Sequence, residues 1–289
     1  MNIGEKIKNL RTAKLMTQKE LAGDEITRNM LSQIESGSAL PSLKTLIYLA
    51  GRLSVPVGYL VSDGSETESF YKKYSNYPNI IESYKSREWE ICRDLCLECL
   101  SDGNDNEIIY MLAQASLQLG IQRFNDGRLK AAASLFEESV EYSKKTVFDV
   151  SGIIANLASY SAIMSMISPT LVLDIEKEIE GEIVVSGDLC KFTSALTSDF
   201  EYYLSKGKNG WENCDYYYVL NAKALMNGGN YSAALSIFSQ IYNNDTLPKP
   251  ITYIVLDHYE KCCKETENFK DAYEISQAKL QLFEKLLAE

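Results

Sequence analysis

The chain has 289 residues, a length that suggests two domains, or a small domain beside a large one. Its 45% hydrophobic and 24% charged content and its 6 prolines exclude a disordered or fibrous chain, and no apolar run reaches the ~20 residues needed to cross a bilayer. The net charge of −11 argues against nonspecific coating of nucleic acid, yet residues 1–64 carry 8 Lys and Arg against 6 Asp and Glu while the rest carries 21 against 34, so a weakly basic head precedes an acidic body.

Residues 1–62 read as five short helices. Helix 1 runs from about Ile3 to Ala13 and places Ile3, Ile7 and Leu10 on one apolar stripe. Thr17 followed by Glu20 is a capping box that opens helix 2. Helix 3 opens at Thr27 and stops at Gly37. Ser42 caps helix 4, with Leu43, Leu46, Ala50 and Leu53 on its apolar face, and Pro56 starts helix 5. In helix 3, Leu31 and Ile34 face a core, while Arg28, Asn29, Ser32 and Gln33 face out near the N-terminal end. That set suits a major groove, since arginine forks to guanine and asparagine or glutamine pairs with adenine. The first turn, beginning at Thr27, also presents free amides to phosphate.

The run TQKELAGDEITRNMLSQIESG, with PSL-x-TL-x-x-LA and VPVGYL after it, resembles the helix-turn-helix of the XRE family, which includes the lambdoid phage repressors. The resemblance covers residues 3–62, although the turn GDEI is about one residue shorter than the common pattern. It implies a lambda-repressor-like fold, a phosphate contact by Gln18, and an ion pair between Arg11 and Glu35 that ties helix 1 to the end of helix 3.

The polar stretch 63–69 (DGSETES) reads as a linker, followed by a helical-repeat domain over 70–289. Trp89, Leu129, Tyr231 and Phe269 open four similar phrases. A small residue follows three positions later (Cys92, Ala132, Ala234, Ala272), and an aliphatic six positions later (Leu95, Leu135, Ile237, Ile275) is expected to fill the core. The pattern resembles tetratricopeptide repeats, longer and more degenerate than their ~34-residue period, and implies stacked helix pairs with a concave face. Inner helices are expected over 105–125, 147–167, 188–206, 213–227 and 250–265. The fold class expected for the chain is all-α.

A metal or catalytic site is not expected, and neither is a cofactor. His258 is the single histidine, and no phosphate-binding, dinucleotide-binding or zinc-protease motif occurs. Cys92, Cys96 and Cys99 have a cluster-ligand spacing but fall at i, i+4, i+7 of a helix, where packing is the better reading. The start MNIGEKIKNLRTAK lacks the apolar core of a signal peptide, so a cytoplasmic protein with free thiols is expected. Asn156 and Asn221 sit midway along inner helices, where asparagine is unfavourable. Each is read either as a contact to a bound peptide backbone or as a hydrogen bond between helices. Tyr160 and Tyr217, with Tyr110 and Tyr218, are candidate walls of the peptide site.

A helix-turn-helix head on such a body resembles the peptide-pheromone-sensing regulators of the PlcR/Rgg kind. The resemblance implies a transcriptional regulator that binds a double-stranded operator as a homodimer and senses a short peptide. The C-terminal helix, 269–287, is a candidate dimer interface. The alternative is a protein-interaction scaffold, antitoxin or anti-repressor whose repeats bind a protein partner.

Overall fold

The computed structural model describes residues 2–62, 65–100, 105–175 and 187–288, the side chains of 65–72 and 74 excepted. The described residues are helical and contain no strand. They form two compact units, Met1–Ile108 and Ile109–Glu289.

The first unit begins with α1 (Ile3–Ala13), α2 (Gln18–Ala22), α3 (Arg28–Glu35), α4 (Leu43–Leu53) and α5 (Val57–Val61). Each of the first four has a side-chain N-cap. Asn2 forms a capping box with Glu5, and Thr17 forms the expected one with Glu20. Thr27 accepts from the amide of Met30, and Ser42 from that of Thr45. These oxygens satisfy amides that helix geometry leaves without an internal partner, at ~1 kcal/mol each. Ile7, Leu21, Leu31, Ile34, Leu49, Leu53 and Leu60 make the buried core between the five helices. Gly4 allows α1 to lie on the end of α3: a Cβ there would stand 2.0 Å from the Ile34 carbonyl oxygen.

Next come α6 (Ser65–Lys85) and α7 (Trp89–Leu100). Residues 65–69, expected to be linker from their polarity, are the first turn of α6; residues 63 and 64 lie outside the described residues. Polar side chains mark a helix N-terminus as well as a loop, and polarity alone does not separate the two. The α6–α7 hairpin packs within the first unit. Lys73 on α6 reaches Asp105 and Glu107, each at 2.9 Å, at the start of α8 (Asn106–Asn125).

Beyond the first turn of α8, the second unit contains α9 (Leu129–Ser143), α10 (Ser151–Ile167), α11 (Asp188–Thr197), α12 (Phe200–Ser205), α13 (Cys214–Asn227), α14 (Tyr231–Asn244), α15 (Lys249–Glu265) and α16 (Phe269–Leu286). The inner helix expected over 147–167 starts only at Ser151. The one expected over 188–206 is two helices, broken at Ser198 and Asp199. There Thr197 and Ser198 hydroxyls donate to carbonyls of the preceding turn, and Ser194 donates to the Asp199 carboxylate. Such side-chain bonds compete with the helical ladder.

The four aligned phrases coincide with four helix starts: Trp89, Leu129, Tyr231 and Phe269 are the first residues of α7, α9, α14 and α16. Two residues before each stands a residue in the left-handed region: Arg87 (φ 60), Gly127 (φ 82), Gly229 (φ 77) and Glu267 (φ 56). Around each, the same two amide bonds close the preceding helix, as in Gly127 N to Phe124 O and Arg128 N to Arg123 O. This is the Schellman arrangement, present before all four of these helices and also in the head at Leu15, Gly37 and Ser54. The small residues Cys92, Ala132, Ala234 and Ala272 are buried, which lets the paired helix approach. The aliphatics six positions along are only partly buried in three of the four copies. The fully buried position is the seventh, held by Cys96, Phe136 and Phe238. Four residues bring the chain back over the small residue on the same helix face.

Glu267 is exposed and occupies the left-handed region without being glycine, at a backbone cost of roughly 1 kcal/mol. Glu267→Gly is therefore expected to stabilise the fold by up to ~1 kcal/mol, read as a higher urea midpoint of unfolding with an unchanged slope. Gly127→Ala is expected to lower it.

Candidate functional site

The centre of the head is a pair of opposite charges held between its first three helices. Arg11 Nε donates to Glu35 Oε1 at 2.6 Å and its Nη2 to Oε2 at 3.1 Å, a two-bonded fork. Their side chains are 12% and 4% exposed. The third arm of Arg11 donates to the Met16 carbonyl at 2.8 Å, which fixes the turn between α1 and α2. Gln18, the first residue of α2, donates from Nε2 to Glu35 Oε2 at 2.8 Å. Burial alone would push the Glu35 carboxyl up. The hydrogen bonds from Arg11 and Gln18, with the Arg11 charge, outweigh it and hold the group below the usual carboxylate range. The bond to Glu35 raises Arg11 in turn.

Further bonds set the pose of α2 and of α1. The Tyr48 hydroxyl on α4 donates to the Ala22 carbonyl at 3.0 Å, and Arg52 donates to that of Glu20. Lys6, which is buried, donates to the carbonyls of Tyr59 at 2.9 Å and Ser62 at 2.5 Å, tying α1 to the end of α5. Reading the sequence missed Lys6, although it falls on the stripe of Ile3, Ile7 and Leu10. A charge on an apolar stripe is the signal that was present.

On this frame α3 turns Leu31, Ile34 and Glu35 inward and leaves Arg28, Asn29, Ser32 and Gln33 exposed. At 3.6 residues per turn those four lie within an arc of about 140°. Thr27 is exposed at the N-cap, its hydroxyl occupied by the Met30 amide. The face therefore offers a guanidinium, two carboxamides and a hydroxyl. Gln18, half-buried at the edge of the turn, keeps one amide hydrogen beyond the one given to Glu35.

The residues expected at a peptide site differ in how the fold engages them. Tyr160 is a core residue rather than a groove wall. Its ring packs edge-on against Phe124 at 4.9 Å and tilted against Phe136 at 5.2 Å, and burial pushes its hydroxyl pKa up. Asn156 has both ends of its carboxamide occupied within the fold. Nδ2 donates to the Gly152 carbonyl at 2.8 Å, and Oδ1 accepts from the Cys190 thiol on α11 at 3.5 Å. Asn221 is half-buried on α13 with no hydrogen bond among the described residues, and Tyr217 stands one turn before it. Tyr217 packs on Tyr218 with ring centres 5.9 Å apart. Tyr110 meets Phe148 edge-on at 5.8 Å.

Cys92, Cys96 and Cys99 are free thiols buried on α7, with the Cys92 thiol 3.9 Å from the Ile80 carbonyl and the Asn76 amide 3.8 Å from Cys99 Sγ. The Cys96 thiol donates to its neighbour Cys92, and that bond, with burial after it, pushes the Cys96 thiol up. Among the described residues no helix is long and apolar enough to cross a membrane.

The head is a helix-turn-helix domain, and the described residues that follow it are helices with hairpin repeats. Residues 7–60 match the helix-turn-helix family model. No curated protein matches the chain. Among solved structures, PlcR of Bacillus thuringiensis, in complex with the peptide PapR7 and DNA, is 17% identical over 98% of this chain and 96% of its own, with a TM-score of 0.24. The apo competence regulator ComR of Streptococcus vestibularis is 20% identical over 92% of this chain and 97% of its own, with a TM-score of 0.24. A PrgX variant is 13% identical over 92% and 96%, with a TM-score of 0.23.

Removing either partner of the buried pair leaves an uncompensated charge, so Arg11→Ala or Glu35→Ala should each cost ~3–5 kcal/mol, and the double variant less than their sum. A coupling near zero in the double-mutant cycle would disprove the pairing in solution. The pH dependence has a definite sign. Because Glu35 is depressed in the folded state, its contribution is complete above the ordinary carboxylate value of about 4.3 and is lost as pH falls through the lower folded value. The stability gap between wild type and Glu35→Gln should accordingly narrow below about pH 4.3.

Proposed function

We propose that the chain is a DNA-binding transcriptional regulator that acts on a double-stranded operator as a homodimer, without enzymatic chemistry of its own, and that its repeats sense a short peptide. The observation that carries the DNA-binding part is the exposed arc of Arg28, Asn29, Ser32 and Gln33 on a helix held by the Arg11–Glu35 pair. A dimer would set two such helices ~34 Å apart, the spacing of successive major grooves. A peptide is the class of ligand named with DNA in the PlcR complex. Helix-pair repeats suit that role, since a ligand that spans several of them changes their stacking.

Selection of bound sequences from a random DNA pool tests the reading directly. With the selected operator, Arg28→Ala should weaken binding by ~1–3 kcal/mol and relax preference at one base pair in each half-site. Gln18→Ala should weaken all sequences about equally, because phosphate contacts position the protein without reading bases. Footprints unchanged in both variants would overturn the assignment of α2 and α3.

The peptide part is tested by calorimetry with a peptide library, with and without operator. A peptide that changes operator affinity by some factor must have its own affinity changed by operator by the same factor. A library in which no peptide alters operator affinity would remove the sensing role and leave the DNA-binding role standing.

A further inference from the structure

A cavity of about 540 Å³ lies within the second unit, and its lining includes none of the residues singled out on α10 and α13. It is bounded by the first half of α15, the second half of α16, the end of α14 and the turn between α8 and α9. Its volume is in the range of sites that bury a drug-sized ligand. Its lining has two parts. Leu256 and Leu286, each 1% exposed, form an apolar floor with the half-buried Leu282. Charges of both signs stand at the rim.

Two of those charges satisfy each other. Lys249 Nζ lies 2.6 and 2.9 Å from the two carboxylate oxygens of Asp245. The other two are Asp126, on the α8–α9 turn, and Lys285, in the last turn of α16. Neither side chain has an ion-pair or hydrogen-bond partner among the described residues. The site thus offers one free carboxylate, one free ammonium and an aliphatic floor. The complementary ligand carries an ammonium, a carboxylate and apolar groups. A short peptide with aliphatic side chains and free termini has all three.

The position of the turn gives such a ligand a mechanical consequence. Gly127 has φ +82, and a Cβ there would stand 3.2 Å from Leu286 Cδ2 and 3.5 Å from Lys249 Cβ. The turn of the unit's first hairpin therefore rests directly on its last hairpin. A ligand held by Asp126 on one side and Lys285 on the other bridges that joint.

We propose that this cavity binds a short aliphatic peptide through its free termini, the ammonium at Asp126 and the carboxylate at Lys285, and that occupancy locks the α8–α9 turn to the α15–α16 hairpin. The proposal rests on the peptide-sensing reading and moves its site from α13 to this joint.

The test is calorimetry on the full chain with a pool of tri- and tetrapeptides of leucine, isoleucine and valine. The same pool is also used with acetylated amino termini and with amidated carboxyl termini. Free peptides should bind, and each cap should weaken binding about fivefold, the scale of one exposed ion pair. Asp126→Asn should weaken free peptides to the same degree and leave acetylated ones unaffected. Lys285→Met should do the same for amidated peptides. Ala278→Phe, which fills the cavity, should abolish binding without lowering the melting temperature. The cap-by-variant comparison decides the case even if that variant is unstable.

Equal binding of capped and free peptides, or no binding of the pool at millimolar concentration, would overturn the cavity assignment. So would loss of binding in Asn221→Ala with Asp126→Asn and Lys285→Met unaffected. That last result would return the peptide to α13 and leave the sensing role intact. The sensing role itself fails only if longer library peptides also leave operator affinity unchanged.

Discussion

The head depends on one carboxylate. Glu35 ends α3, and its two oxygens take bonds from Arg11 on α1 and Gln18 on α2. Two helices are thus indexed against a third through a single group, and the Met16 carbonyl adds the turn between them. A buried pair of this kind returns little net stability, because both charges lose their hydration. Its value here is geometric. A fork meets a carboxylate in few orientations, whereas leucine and isoleucine contacts tolerate sliding. The close approach of Gly4 to the Ile34 carbonyl removes the remaining freedom between α1 and α3. The direction of the outward arc of α3 is set because its inward face is specified this way.

In the proposed DNA complex the same carboxylate would connect recognition to the interior. Gln18 spends one amide hydrogen on Glu35 and keeps the other toward the surface. A phosphate bound there would be one hydrogen bond from the ion pair. In the proposed complex the Gln18 amide would then be oriented before DNA arrives, which would lower the side-chain entropy lost on binding.

In the helical hairpins from α6 onward the repeating element is a turn more than a sequence. Two of the four Schellman turns have glycine at the left-handed position and two do not. What they share is the pair of amide bonds and the small buried residue that follows. Because the turn sets where the next helix begins, the four phrases could diverge elsewhere while their helix starts stayed aligned. The joint between Gly127 and Leu286 adds a contact that stacking of neighbours alone does not provide, since it joins hairpins far apart in sequence.

Local physics made much of this legible in the sequence. Caps at Thr17, Thr27 and Ser42 depend on residues three positions apart, and helix starts at Leu129 and Tyr231 on a turn of a few residues. The Arg11–Glu35 pair came from resemblance, because nothing local links positions 24 residues apart. Tertiary packing decided the rest. It put Tyr160 between two phenylalanines and gave Asn156 a thiol from another helix. In three of the four repeats it buried the seventh residue rather than the sixth, and it brought Asp126 and Lys285 to the rim of one cavity. A tyrosine or asparagine midway along a helix has the same local energetics whether it faces a groove or a neighbouring helix. Its surroundings exist only once distant segments have packed, and those contacts leave no mark on the spacing of residues along the chain.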